Sequence, residues 1–209
     1  EREKSLNAQD IPYYFGFFPN KHSIYSDYLP GAMKKQIRDT ISLGEQLEEA
    51  FSGAGMKFFN PTAALLNKKE DLLLYLKLDS HWNNDGAYVV YADFFLKNPE
   101  LDILPLNRET DFDVRYVDRH WGDLTQLLGI ENYRGFIEKR PLYELINEAF
   151  RFKRIPPENL PDLSVHTVNN NLNKTKKLLF FGDSFSDNII TFFSLHFKEA
   201  IYIRGSFNQ

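Results

Sequence analysis

The spacing of apolar positions changes several times along the chain, and each change marks an element. "IPYYFGFF", Ile11 to Phe18, is a continuous apolar run ending at Pro19, the pattern of a buried strand. In "GAMKKQIRDTISLGEQLEEAFSGAG" the residues Met33, Ile37, Ile41, Leu47 and Phe51 fall near one helical face, and Gly53 and Gly55 mark its end. "MKFF" predicts a short strand closed by "NP", and residues 61–78 predict a short helix followed by an extended approach to Asp79. Ala87, Val90, Tyr91, Phe94 and Phe95 recur at helical spacing, with Asn83 or Asn84 placed to cap that helix. "DLTQLLG" predicts a second short helix, capped by Asp123 and stopped by Gly129.

Residues 98–113 read as loop, and residues 130–175, with prolines in "IPPENLP", show weak periodicity. Residues 130–175 therefore read as an insertion or a substrate-facing excursion, within a middle region or insertion spanning 98–175. The signal sharpens again in "KKLLFFGDSFSDNIITFFSLHF", a strand, a tight turn and a helix, followed by a strand at "AIYIR". Short buried strands alternating with helices predict an α/β sandwich with a mainly parallel sheet, one domain over residues 1–209.

Composition narrows the function. With 43% hydrophobic residues, 19 Phe and 11 Tyr, the chain has ample material for a core. The net charge is -4 with both signs interspersed, so there is no basic stripe to track phosphates and no nucleic-acid partner is expected. Absence of cysteine excludes disulfides and thiol nucleophiles. No apolar run is long enough to span a bilayer. The opening "EREKSLNAQD" has no signal peptide and does not read as a natural start, so a missing leader says nothing firm about compartment.

The most informative local feature is "LLFFGDSFSDNII". An apolar strand leads through Gly182 into Ser184, where a helix begins. That is the carboxyl edge at which α/β sheets bind ligands, and N–H groups at a helix start can stabilise an oxyanion. The plainer alternative is that Ser184 or Asp183 only caps the helix. Phe185 and Ser186 depart from the Gly-x-Ser-x-Gly elbow, so this is not an ordinary α/β-hydrolase signature.

A nucleophilic serine needs a base with an orienting carboxylate. Of the 5 histidines, His22, His166 and His196 are poorly supplied with acids or badly placed. Two quartets remain: "DSHW", with Asp79, His81 and Trp82, and "DRHW", with Asp118, His120 and Trp121. Local chemistry does not separate them. No His/Asp cluster has recognisable metal-ligand spacing, and neither a metal nor a cofactor is expected.

Three blocks together resemble the SGNH-hydrolase-like domain of the alginate O-acetyltransferase periplasmic proteins and the related Asp-His-His-Trp cell-envelope proteins. They are "FFPNKHSIYSDYLP", "LYLKLDSHWNNDGAYVVYADFF" and "LLFFGDSFSDNIITFFSLHF". The acid and histidine precede the serine, as in this family, whereas more typical SGNH esterases carry them near the carboxyl end. The resemblance spans residues 11–97 and 176–203 well and the middle loosely. It implies a three-layer sandwich with a mainly parallel central sheet, short at its ends, since the family continues with a helix and strand beyond "YIRGSFNQ".

The resemblance assigns Ser184 as nucleophile, His81 as base and Asp79 as its orienting acid, because a Gly-Ala-Tyr helix follows the first quartet and not the second. His120 is then a structural or pocket-wall residue beside Trp121. Asn60 is the candidate second oxyanion donor. Trp82 either packs beside the dyad or stacks on a sugar, and Lys21 either meets an anionic group at the pocket mouth or is simply solvated. The implied activity is O-acetyl transfer to a cell-envelope or exported polysaccharide through acetyl-serine. Two alternatives stay open: an acetyl esterase with the same triad, and a non-catalytic carbohydrate-binding or assembly protein. The implied setting is periplasmic or extracellular, with a membrane-bound acetyl-donating partner and anchoring by a segment outside this chain.

Overall fold

The computed structural model describes residues 2–37, 41–170 and 175–205, which divide into two compact units, residues 1–70 and 71–209. The fold is mixed α/β, as expected.

The first unit opens with α1 (Arg2–Asn7). Of the run Ile11–Phe18, two residues form β1 (Phe15–Gly16), paired in parallel with β2 (Phe58–Phe59). Phe15, Phe51 and Phe58 stack beside this ladder with centroids 4.9 to 5.9 Å apart. Between the strands lie α2 (Lys21–Ile24), α3 (Gly31–Lys34) and α4 (Leu43–Gly53), and α5 (Thr62–Lys68) closes the unit.

The single helix expected from Met33 to Phe51 is two helices; residues 38–40 lie outside the described residues. Its second part begins at Ser42, whose hydroxyl accepts from Glu45 N while the Glu45 carboxylate accepts from Ser42 N. That reciprocal pair satisfies donors a continuous helix would have used internally, so it marks a true start.

The second unit is built on α6 (Asn84–Lys97), capped by Asn83, whose Oδ1 accepts from Asp85 N and Gly86 N. Gly86 is required here: a Cβ would lie 2.7 Å from both Leu74 O and Trp82 Cβ. β3 (Phe112–Arg119), α7 (Asp123–Leu127) and β4 (Glu138–Leu145) follow, and β3 and β4 form an antiparallel pair. Then come β5 (Lys153–Ile155), β6 (Val165–Val168), β7 (Lys177–Gly182), α8 (Ser186–Phe193) and β8 (Glu199–Arg204).

The four-stranded sheet has the order β5-β6-β8-β7. It is mixed rather than mainly parallel: β7 and β8 run parallel, while β6 lies antiparallel to both β8 and β5. The difference comes from residues 130–175, whose weak periodicity hid strands that are half exposed or short. α6 and α8 share an aromatic core. Tyr91 stacks on Phe192 at 5.5 Å, Phe95 lies against Phe193 at 5.2 Å, and Ile189, Val90 and Phe192 are fully buried. Such ring pairs add about 0.5–1.5 kcal/mol beyond area burial, and they hold the two helices that flank the site. Within the described residues, no helix is long and apolar enough to cross a membrane.

Candidate active site

Two segments meet at the site. The first is the turn after β7. Phe185 N donates to Asp183 Oδ1 at 3.0 Å and Ser186 N to Asp183 O at 3.1 Å, so Asp183 caps this turn. The Ser184 hydroxyl is therefore not spent on capping. Gly182 allows the close fold, since a Cβ there would lie 2.6 Å from the Phe180 ring.

The second segment is a loop at 74–83, closed by an antiparallel bridge between Tyr75 and Trp82 and by Asn83 N donating to Leu74 O at 2.8 Å. Asp79, Ser80 and His81 sit at its tip. The tip is held from three sides. The buried Glu138 carboxylate on β4 accepts from Lys77 N and Leu78 N. Leu124 N on α7 donates to Leu78 O at 3.2 Å, and Ser80 N donates to Asp123 Oδ1 at 2.7 Å. Gly122 presses directly on the loop, for a Cβ there would lie 2.6 Å from Leu78 C and closer still to its oxygen.

These supports bring His81 Nε2 to 2.7 Å from Ser184 Oγ and His81 Nδ1 to 2.9 Å from Asp79 Oδ1. Asp79 Oδ2 is paired with Arg119 Nη2 at 3.0 Å, and Asp123 Oδ2 lies 3.3 Å from His81 Nδ1. With carboxylate oxygens on that side, Nδ1 must carry the imidazole proton, which leaves Nε2 as the acceptor facing the serine hydroxyl. The Ser184 N–H has no partner among the described residues, so it is available to an incoming oxyanion.

The cleft in front of Ser184 encloses about 280 Å³ and is walled by Leu76, Trp82, Asn188 and three arginines, Arg119, Arg140 and Arg204. Arg204 pairs with Asp187 at 2.9 Å. Arg140 has no ion-pair partner among the described residues, and burial together with neighbouring Arg119 lowers its pKa against the opposing pull of Asp79. For Asp123, burial raises the carboxyl, but hydrogen bonds from the Ser80 side chain and backbone and the His81 charge outweigh it and hold the pKa below the ordinary value.

The structure thus brings Ser184, His81 and Asp79 together. Trp82, 2% exposed, sits edge-on to Phe185 at 90° and donates its N–H to Phe185 O at 3.0 Å, so it packs and offers no open face to a sugar. Lys21 and Asn60 belong to the first unit. Asn60 is buried there, donating to Glu48 at 3.0 Å and accepting from Thr62 N at 3.1 Å. Lys21 is the first residue of α2. His166 pairs with Glu199 at 3.0 Å, and His196 is buried with Nε2 2.6 Å from Tyr91 Oη.

The second quartet and the segment after it contribute through residues other than its histidine. Asp118 pairs with Lys139, and His120 Nδ1 is buried without a hydrogen-bond partner. Arg119 and Asp123 instead reach the first quartet. Arg119 lies 4.6 Å over the Trp121 ring, which helps fix its guanidinium. Asp123 is the first residue of α7 rather than its cap, a place taken by Gly122. Only the partner across the fold reveals this, because an acid at a helix start looks the same whichever way it points.

No curated protein sequence matches the chain. Among solved structures, it is similar to Bacillus cereus PatB1 with a sulfonyl adduct, at 18% identity and TM-score 0.67, covering 97% of this chain and 74% of that one. It is similar to a DHHW family protein from Eubacterium siraeum at 17% identity and TM-score 0.63, covering 92% and 69%. The O-acetyltransferase domain of Pseudomonas putida AlgJ matches at 14% identity and TM-score 0.57, covering 97% and 67%. These likenesses concern the fold. A family model described as the SGNH hydrolase-like domain of acetyltransferase AlgX matches residues 1–193, and the chain belongs to that family.

Proposed function

We propose that the protein is a serine-dependent O-acetyltransferase acting on a cell-envelope or exported polysaccharide through an acetyl-serine intermediate. The observation that carries this reading is the continuous line Ser184 Oγ–His81 Nε2 and His81 Nδ1–Asp79, at 2.7 and 2.9 Å. Family membership and the name of the AlgJ domain, an O-acetyltransferase, support acyl transfer as the reaction.

In the proposed cycle Ser184 Oγ attacks the acetyl carbonyl carbon as its proton passes to His81 Nε2. The resulting imidazolium keeps Nδ1–H directed at the carboxylates, and the oxyanion takes the Ser184 N–H. Collapse returns the His81 proton to the leaving oxygen and leaves acetyl-serine. A glycan hydroxyl then gives its proton to His81 and attacks the acetyl carbon, and Ser184 Oγ recovers that proton as the acetate ester departs. A membrane-bound partner is the proposed acetyl source, with the chain acting outside the cytoplasm.

The test has two parts. An acetyl ester or a sulfonyl fluoride should modify one residue, Ser184, identified by peptide mass spectrometry, and Ser184→Ala should abolish both modification and turnover. Product analysis with and without a glycan acceptor separates transfer from hydrolysis. Turnover retained in Ser184→Ala would overturn the serine mechanism.

A further inference from the structure

His81 Nδ1 carries one hydrogen and faces two acids, Asp79 Oδ1 at 2.9 Å and Asp123 Oδ2 at 3.3 Å. The two acids are not equivalent. Asp79 is shared with Arg119 at 3.0 Å, so much of its charge is already answered by a guanidinium. Asp123 is bonded to the uncharged Ser80 N–H at 2.7 Å and to the Ser80 hydroxyl; its cationic partner among the described residues is the imidazole, and the Asp79 carboxyl lies within its reach as well. Its place is built: Gly122 seats α7 on the Leu78 carbonyl, which brings the first carboxylate of that helix to the histidine.

We propose that Asp123 is a second positioning acid for His81, sharing the Nδ1 proton with Asp79 and supplying the uncompensated negative charge that stabilises the imidazolium. The inference rests on the reading of Ser184 and His81 as nucleophile and base. No proton leaves the imidazole toward Asp123; the proton taken from Ser184 stays on Nε2 until the leaving group or acceptor exchange requires it. The charged groups around His81 are Asp79 on its own loop, Asp123 from α7, Arg119 from β3 and Arg140 from β4. Asp187 and Arg204 line the same cleft from α8 and β8.

The arrangement predicts an unusual response to Asp79→Asn. Arg119 would keep the amide oxygen, turning the amide NH2 toward Nδ1 and favouring the wrong imidazole tautomer. Asp123 opposes that by accepting from Nδ1–H.

The experiment compares Asp123→Asn, Asp79→Asn and the double variant in turnover of an acetyl ester and in ¹⁵N-histidine NMR. Asp123→Asn should lower kcat about tenfold with KM unchanged, in the range of supporting partners of a functional imidazole. Asp79→Asn should keep the Nδ1–H tautomer and measurable turnover, while the double variant loses both, by more than the product of the single effects. Should the double variant fail to fold, Asp79→Asn/Asp123→Ser takes its place. A double variant no worse than Asp79→Asn, or an Asp79→Asn enzyme already in the Nε2–H tautomer, overturns the proposal. The NMR arm needs no substrate, so it is decided even if Ser184→Ala shows that the catalytic reading itself is wrong.

Discussion

Gly122→Ala offers the sharpest physical test of how this site is held. The glycine has extended backbone at φ -157°, so any residue could adopt its conformation; what it lacks is room. An added Cβ would sit 2.6 Å from Leu78 C and 3.0 Å from Asp79 Cβ. Carbon pairs settle near 3.5 Å, so α7 and the loop at 74–83 must separate by at least about 0.9 Å, and the nearer Leu78 O demands more. The obstructing atoms are backbone and cannot swing away as a side-chain end would. Overpacking of this kind costs about 1–3 kcal/mol, which for a chain of this size lowers the melting temperature by about 3–9 °C. The same displacement moves Asp79 and the Ser80–Asp123 contact, and a misplacement near 1 Å can cost about a hundredfold in rate. Differential scanning calorimetry and ester turnover measured on the same preparation read both effects. An alanine variant with unchanged melting temperature and full turnover would refute the claim that this contact positions Asp79 and His81.

Other outcomes follow from the same geometry. Arg119→Met removes the guanidinium paired with Asp79 Oδ2, on a carboxylate whose side chain is 13% exposed; breaking a buried pair from one side should cost about 3 kcal/mol in urea unfolding, and an effect below the error of the fit would count against it. Arg140→Met removes a guanidinium repelled by Arg119 and unpaired among the described residues. It is expected to leave stability equal or higher while raising KM for an acceptor bearing a carboxylate; a clear loss of stability would contradict this. The Asp123 carboxyl is depressed in the folded state, so its stabilising contribution is complete above about pH 4, near the unfolded value. That contribution is lost as pH falls through the lower folded value. Asp123→Asn should therefore flatten the acid limb of stability followed by circular dichroism, and an unchanged limb would argue against the shift.

Much of the site was legible because its parts depend on short-range chemistry. A strand, a glycine and a serine at a helix start can be read locally, and so can an acid two positions from a histidine. The helix after Asn83 was readable since its apolar period and its cap agree. Ser42 and Glu45 were also a local signal, a capping box that the longer apolar spacing from Met33 to Phe51 obscured. β3 and β4 were not readable by period, because their exposed and half-buried positions alternate imperfectly and their stability comes from pairing with each other.

What the sequence offered by itself was a set of candidate groups: Ser184 on its turn and two acid–histidine quartets, of which the family resemblance favoured Asp79 and His81. What tertiary structure decided was which quartet faces the serine and what surrounds it. "DSHW" and "DRHW" are equivalent as local chemistry, and the difference arises from Glu138, Gly122 and the Tyr75–Trp82 bridge, which aim one loop at the β7 turn. The second quartet serves the first through Arg119, and the segment after it serves through Asp123. A charge is visible in any sequence; the direction in which its side chain is held depends on contacts between residues far apart along the chain.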